Sequence, residues 1–177
     1  MKFQSYEKMI AHFEKISNID NFIADGFKKV CDVRGRGHWH YHNINEDLLF
    51  SDHRSWVYLI VLNKMIVKIG ESGNPLGIKA WAGNQVTTLK GSKSRLGRLC
   101  NGDGTDNEIR RKLNVYIEEG HSVTIWAKRC PIEFAYLTIA GKDVSVKYTI
   151  HKDLEQAILE YFKKETGQLP LLNKARK

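Results

Sequence analysis

Two short apolar runs, residues 57–62 and 65–69, joined by the polar pair Asn63-Lys64, constrain this chain more than any other feature. The first run is uninterrupted and the second is broken only by Lys68, so the two read as a β-hairpin buried on both faces. A lysine is out of place in such a strand, and ten residues before it stands Tyr58. Strand side chains alternate with a period of two. An odd-numbered loop therefore puts Tyr58 and Lys68 on one face of the sheet, and a two-residue loop puts them on opposite faces. The expectation is the odd loop, with phenol and ammonium side by side. An ordinary buried tyrosine, with an edge lysine whose stem carries its charge to solvent, is the plain alternative.

A chain of 177 residues is one domain, or one domain with an added arm, and can bury a full core. Its 28 Lys and Arg against 20 Asp and Glu give a net charge of +8, which favours a polyanionic partner such as nucleic acid and is equally compatible with plain solubility. Cys31, Cys100 and Cys130 are widely spaced and form no C-x-x-C pair, which excludes a zinc ribbon or a disulfide framework and fits a reducing compartment. The opening Met1-Lys2-Phe3-Gln4-Ser5 lacks the apolar core of a signal peptide, and no run is long enough to cross a bilayer. A soluble, cytoplasmic protein with no membrane partner is expected.

Ser5 is placed to cap a helix carrying Met9, Ile10, Phe13 and Ile16, and Asp20 to cap a second with Phe22, Ile23 and Phe27, so the N-terminal part reads as a helical arm. Residues 77–93 have no clear period and read as an irregular insertion. Ser94 introduces a short helix with Arg95, Leu96, Arg98 and Leu99, and Asp106 starts a firmer one with Ile109, Leu113, Tyr116 and Ile117 on one face and Gly120 beyond its end. Residues 123–127, 133–139 and 144–150 read as strands, the last two turned by Gly141-Lys142, and a final helix runs over 151–165 before Pro170-Leu171-Leu172-Asn173. The fold class is α+β: a small central antiparallel sheet flanked by helices, with an N-terminal helical arm. The division expected is an arm with a basic, aromatic segment over residues 1–54 and a core over 55–177.

Glu155 lies in the apolar stripe of the last helix, with Ile158, Leu159 and Phe162 at three, four and seven positions on. A carboxylate turned toward a core needs a cation or a proton, although a glutamate in a first helical turn is also favoured by the helix dipole. Along Arg34-Gly35-Arg36-Gly37-His38-Trp39-His40-Tyr41-His42, His38, His40 and His42 alternate and share one side of an extended strand. They have no evident fourth metal ligand. With Arg34 and Arg36 interleaved, a segment that contacts phosphates or enters a groove is the sharper reading, and an exposed edge strand the plainer one.

Tyr58 in Trp56-Val57-Tyr58, Lys68 in Lys68-Ile69-Gly70, Arg95 opening a helix, Glu155 in a late helix and Asn173 three after Pro170 occur in the order and context of the GIY-YIG nuclease superfamily. The chain looks most like the compact GIY-YIG restriction endonucleases in which lysine replaces the second motif tyrosine. The resemblance covers roughly residues 55–120 and 144–173. The first motif departs from it by reading Trp-Val-Tyr. Leu99 stands where members often have a His or Tyr, with Arg98, Tyr116 or an arm histidine as candidates to substitute.

The resemblance implies a metal-dependent, site-specific endonuclease acting on double-stranded DNA, of restriction, phage or mobile-element type. Tyr58 would be the general base. A free phenol has a pKa of about 10, so Lys68 and a divalent cation would have to favour the phenolate. Arg95 would clamp the scissile phosphate and Glu155 would hold one Mg²⁺ or Mn²⁺ per active site. Asn173 would hydrogen-bond around the site and fix the end of the chain over the sheet. Arg34, Arg36, His38, His40 and Arg98 are the candidates for DNA contact. One active site per chain means that cutting both strands takes a homodimer or two successive nicks. A DNA-binding module on a decayed nuclease scaffold is the rival reading.

Overall fold

The computed structural model describes residues 18–35, 39–49, 54–73, 76, 95–101 and 105–173. The elements are α1 (Asp20–Ile23), β1 (Lys28–Arg34), β2 (His40–His42), α2 (Glu46–Leu49), β3 (Trp56–Leu62), β4 (Met65–Ser72), α3 (Arg95–Asn101), α4 (Thr105–Glu118), β5 (Val123–Arg129), β6 (Ile132–Ile139), β7 (Lys142–Thr149) and α5 (His151–Thr166). A five-stranded sheet runs β2-β1-β5-β3-β4 with every neighbouring pair antiparallel, and β6 and β7 form a separate two-stranded ribbon. This is the α+β architecture that the pattern of runs implied.

β3 is the centre of the core. Its seven residues are all buried, as an unbroken run of Trp, Val, Tyr, Leu and Ile requires of a strand covered on both faces. Tyr58 pairs with Gly70 and Ile60 with Lys68, so Tyr58 and Lys68 do share a face. The cause is not the odd loop expected. The turn is the two-residue Asn63-Lys64, with Asn63 at a φ of 55°, and Leu62 pairs directly with Met65. The register then slips between Ile60↔Lys68 and Val61↔Ile66, leaving Val67 as one extra residue in β4. A bulge inserts one residue and reverses the parity.

β4 is an edge strand, and the chain end covers it. The Leu172 N–H donates to the carbonyl of the bulged Val67 (2.8 Å). The Asn173 amide then mimics a strand, accepting from Ile69 N–H at 2.8 Å and donating to Ile69 C=O at 2.7 Å. Asn173 thus fixes the chain end over the sheet as expected, and both ends of its amide are used in doing so.

Between residues 18 and 49 the described part of the chain differs from a helical arm. α1 is a single turn, closed by Gly26 at a φ of 86°, and Phe27 packs edge-on against Phe22 with ring centroids 5.8 Å apart. β1 follows, burying Val30, Cys31 and Val33, and pairs with β5. These residues carry lysines and an aspartate between the apolar positions, which hid the strand. The first expected helix, over residues 5–16, and the 77–93 insertion lie outside the described residues. Cys31, Cys100 and Cys130 are buried free thiols whose pKa values burial pushes up, so they pack and do not react. No helix among the described residues is long and apolar enough to cross a membrane.

Candidate active site

Lys68 from β4, Arg95 from α3, Glu155 from α5 and Asn173 beyond α5 line one cleft of about 560 Å³, with Asp106 and Lys112 from α4 on its wall. Tyr58 does not line the cleft and is joined to it through Arg95. Only 1% exposed, it accepts hydrogen bonds from Arg95 Nε (2.9 Å) and Nη2 (2.6 Å) at its phenol oxygen. The structure thus brings four of the five expected side chains to one cleft and sets Tyr58 against Arg95 behind it.

Three findings change how they meet. The cation against the phenol is Arg95; the expected pairing was with Lys68. Burial pushes the Tyr58 pKa up to about 12 even though the Arg95 guanidinium pulls it down. A neutral phenol in a desolvated site is the resting state, and Arg95 is the group positioned to stabilise its anion.

Arg95 is also paired with Asp106, which sequence reasoning read only as a helix start. Nη2 lies 2.8 Å from Oδ1 and Nη1 3.1 Å from Oδ2, a two-pronged pair with an aspartate only 4% exposed. Among the described residues, Tyr58 and Asp106 occupy four of the five guanidinium donors, which leaves one Nη1 N–H for a substrate oxygen. The two residues belong to different helices, so no helical spacing in the sequence announces this pair.

Gly70 is the third. A Cβ there would overlap Cζ and Oη of Tyr58, so the phenol lies across β4 only because position 70 has no side chain. Gly70→Ala is expected to displace the ring, at a cost of about 1–3 kcal/mol for overpacking. Chemical denaturation checks that cost. Loss of the ring's place on Arg95 predicts a fall in catalysis of at least about 100-fold.

Glu155 is buried at 6% exposure. It belongs to the cleft, not merely to the helix end. Its place depends on His151 one turn earlier, the first residue of α5. His151 Nε2 lies 3.2 Å from Glu71 Oε2 and Nδ1 3.3 Å from Ser55 Oγ, which pins the start of the helix to β3 and β4. The trio has the residue types of a serine hydrolase relay, but Ser55 is fully buried and out of a substrate's reach. It is an anchor.

Among the described residues no group of three or more His, Cys, Asp or Glu is arranged to hold a metal ion, so the cleft offers no all-protein cage. Two buried carboxylates, Glu155 and Asp106, line the cleft, and Asp106 is paired with Arg95; a carboxylate placed as Glu155 is fits the needs of Mg²⁺ or Mn²⁺, which take few protein ligands and complete their shell with water and substrate oxygens.

Of the candidate DNA contacts, Arg34, His40 and Arg98 are exposed, and Arg34 pairs with His40 across β1 and β2. Tyr41 donates to Leu96 C=O (2.7 Å), which ties β2 to the helix carrying Arg95 and Arg98. Trp39 is buried and donates to Asn114 (2.9 Å), so it serves the core. Arg36 and His38 lie outside the described residues. Leu99 is fully buried, which explains an apolar residue one turn after Arg95.

No protein-family model matches the chain, and no curated protein matches it. Its backbone is similar to that of bacteriophage T4 EndoII, solved as a mutant, with a TM-score of 0.57 and 12% identity over 89% of this chain and 99% of that one. At that identity the likeness is one of fold. The restriction endonuclease HPY188I in complex with product DNA gives a TM-score of 0.41 at 16% identity, over 97% of this chain and 96% of that one.

Proposed function

We propose that this protein is a DNA endonuclease of GIY-YIG type that hydrolyses phosphodiester bonds in double-stranded DNA with a divalent metal ion, at specific sites. The observation that carries this reading is the convergence of Lys68, Arg95 and Glu155 on one cleft, with Tyr58 hydrogen-bonded to Arg95 behind it. Fold similarity to T4 EndoII supports it.

Hydrolysis needs a base for the attacking water, positive charge at the non-bridging oxygens and stabilisation of the leaving oxygen. Once its own proton has left to solvent, the Tyr58 phenolate, held by the two Arg95 donors on its oxygen, accepts the proton of the attacking water and returns to the neutral phenol. The free Arg95 N–H and the Lys68 ammonium on the same sheet face supply charge to the phosphate. Glu155 would hold the Mg²⁺ or Mn²⁺, which would supply positive charge to offset the charge that grows on the phosphate and the leaving group. Asn173 holds the Lys68 strand by its backbone and does not touch substrate.

The +8 charge of the chain and the exposed Arg34, His40 and Arg98 beside α3 provide the non-specific grip. Arg34→Ala and Arg98→Ala are each expected to weaken binding to all DNA sequences alike. The salt slope of log K should fall by about 0.9 for each phosphate contact removed. Titrations over a range of salt concentrations check this, and a loss confined to one sequence would mark base reading instead.

Incubation of the purified protein with several DNAs, with and without Mg²⁺, followed by sequencing of the ends, tests the function. Discrete fragments identify a site-specific enzyme and a smear a loose one. DNA bound but intact identifies a binding module. A methyltransferase gene beside this one would favour a restriction role over a phage or mobile-element role.

A further inference from the structure

The cleft is longer than one phosphate and one metal ion require. Arg95 bonds to both Tyr58 and Asp106 at one end of it. Burial is the main cause that raises the Tyr58 pKa, and the charges of Asp106 and Glu155 add to it, so both carboxylates stand at this near end. From there each helix carries a wall onward. The stripe of α5 that lines the cleft runs from Glu155 to Lys163, about 12 Å of helix, and that of α4 from Asp106 to Lys112, about 9 Å.

The far half differs in chemistry. α5 ends at Thr166, and the chain then returns through Leu169 and Leu171 to Asn173 at Ile69, so these leucines lie between the far end and the near one. With Leu159 they make an apolar floor, and Leu169 and Leu171 are only half-buried, so the floor is open to a ligand. On its edge the Gln156 amide donates to Glu160 Oε1 (2.7 Å), and Lys163 is exposed. Across the whole cleft four lysine and arginine side chains are matched by four aspartates and glutamates, a formal balance of zero. A track for successive phosphates calls for a surplus of cations. An apolar floor with a few polar groups at its edge suits a flat, neutral group instead.

We propose that the far half of the cleft holds the base of the nucleotide next to the scissile phosphate, turned out of the duplex stack. This deepens the endonuclease reading and rests on it for the position of the cut. A cleft of about 560 Å³ has the size of a pocket for one small ligand, which a single nucleotide fills and a stacked duplex step exceeds. The leucines take the face of the base, and Gln156 and Glu160 meet its edge. A carboxylate accepts from an exocyclic amino group and an amide both donates and accepts, so the pair matches adenine or cytosine. Unstacking and unpairing oppose the extrusion, and oppose it least where the nucleotide has no partner on the other strand.

Short duplexes that each carry one abasic site, moved position by position along one strand, test this, with binding measured without metal and cutting measured with Mg²⁺. The wild type is expected to bind about tenfold or more tightly when the abasic site faces one particular nucleotide, and to cut beside that nucleotide. Gln156→Ala/Glu160→Ala is expected to keep its circular dichroism spectrum and its binding to intact duplex, and to lose that gain. If this variant does not fold, Leu171→Trp decides, because it fills the floor from a half-buried position and should lose the gain in the same way. Cutting with no favoured position, or a gain that a folded variant keeps, overturns the inference and leaves the endonuclease reading standing. A gain that the variant loses, with no duplex cut, supports the base pocket and overturns that reading. Neither gain nor cutting overturns both.

Discussion

Tyr58→Phe is expected to lower DNA cleavage by about two to four orders of magnitude, the usual worth of a positioned proton acceptor. DNA affinity should be unchanged, because the ring stays in its slot over Gly70 and only the oxygen is lost. The pH profile separates this role from a structural one. A phenol is reactive as its anion, so with a pKa of about 12 in the substrate-free protein the competent fraction rises tenfold for each pH unit below that value. The wild-type rate should climb with pH with a slope near one until the loaded site titrates. That slope should vanish in Tyr58→Phe. A wild-type rate independent of pH, or one that survives the substitution, assigns the proton to another group.

Arg95→Ala should be the most destabilising substitution in the cleft. The side chains of Arg95 and Asp106 are 17% and 5% exposed, and removing the cation strands a buried carboxylate, at a cost of about 3–5 kcal/mol. Arg95→Ala/Asp106→Ala removes the stranded charge and should recover much of that loss. Cleavage should remain abolished in both, because the phenol oxygen keeps no donor. Urea denaturation of the single and double variants, with cleavage assays beside them, tells stability from chemistry. Equal stability of the two would mean that Asp106 is not held by Arg95 in solution.

What the sequence made legible follows from what is local. The β3–β4 pair, α4 with Gly120 beyond it and α5 with Gly167 closing it were readable because apolar period and caps lie within a few residues of each other. Tyr58, Lys68, Arg95 and Glu155 were readable as types in an order. Their geometry was not. The shared face of Tyr58 and Lys68 depends on a bulge at Val67, which the chain end stabilises from more than 100 residues away in sequence. Asp106 and the Ser55–His151–Glu71 anchor are tertiary pairings between elements, with no spacing that marks them. β1 was missed because Lys28, Lys29 and Asp32 interrupt its apolar positions, although Val30, Cys31 and Val33 are buried.

The account turns on Glu155 holding the divalent ion beside the Tyr58–Arg95 pair. Cleavage of duplex DNA by wild type and by Glu155→Gln, each with Mg²⁺ and with a chelator, tests it most directly, with DNA affinity and thermal midpoint measured in parallel. The expected result is cleavage by the wild type only with Mg²⁺, and none by a Glu155→Gln variant that still folds and binds DNA. Undiminished cutting by Glu155→Gln, or by the wild type in chelator, would contradict it.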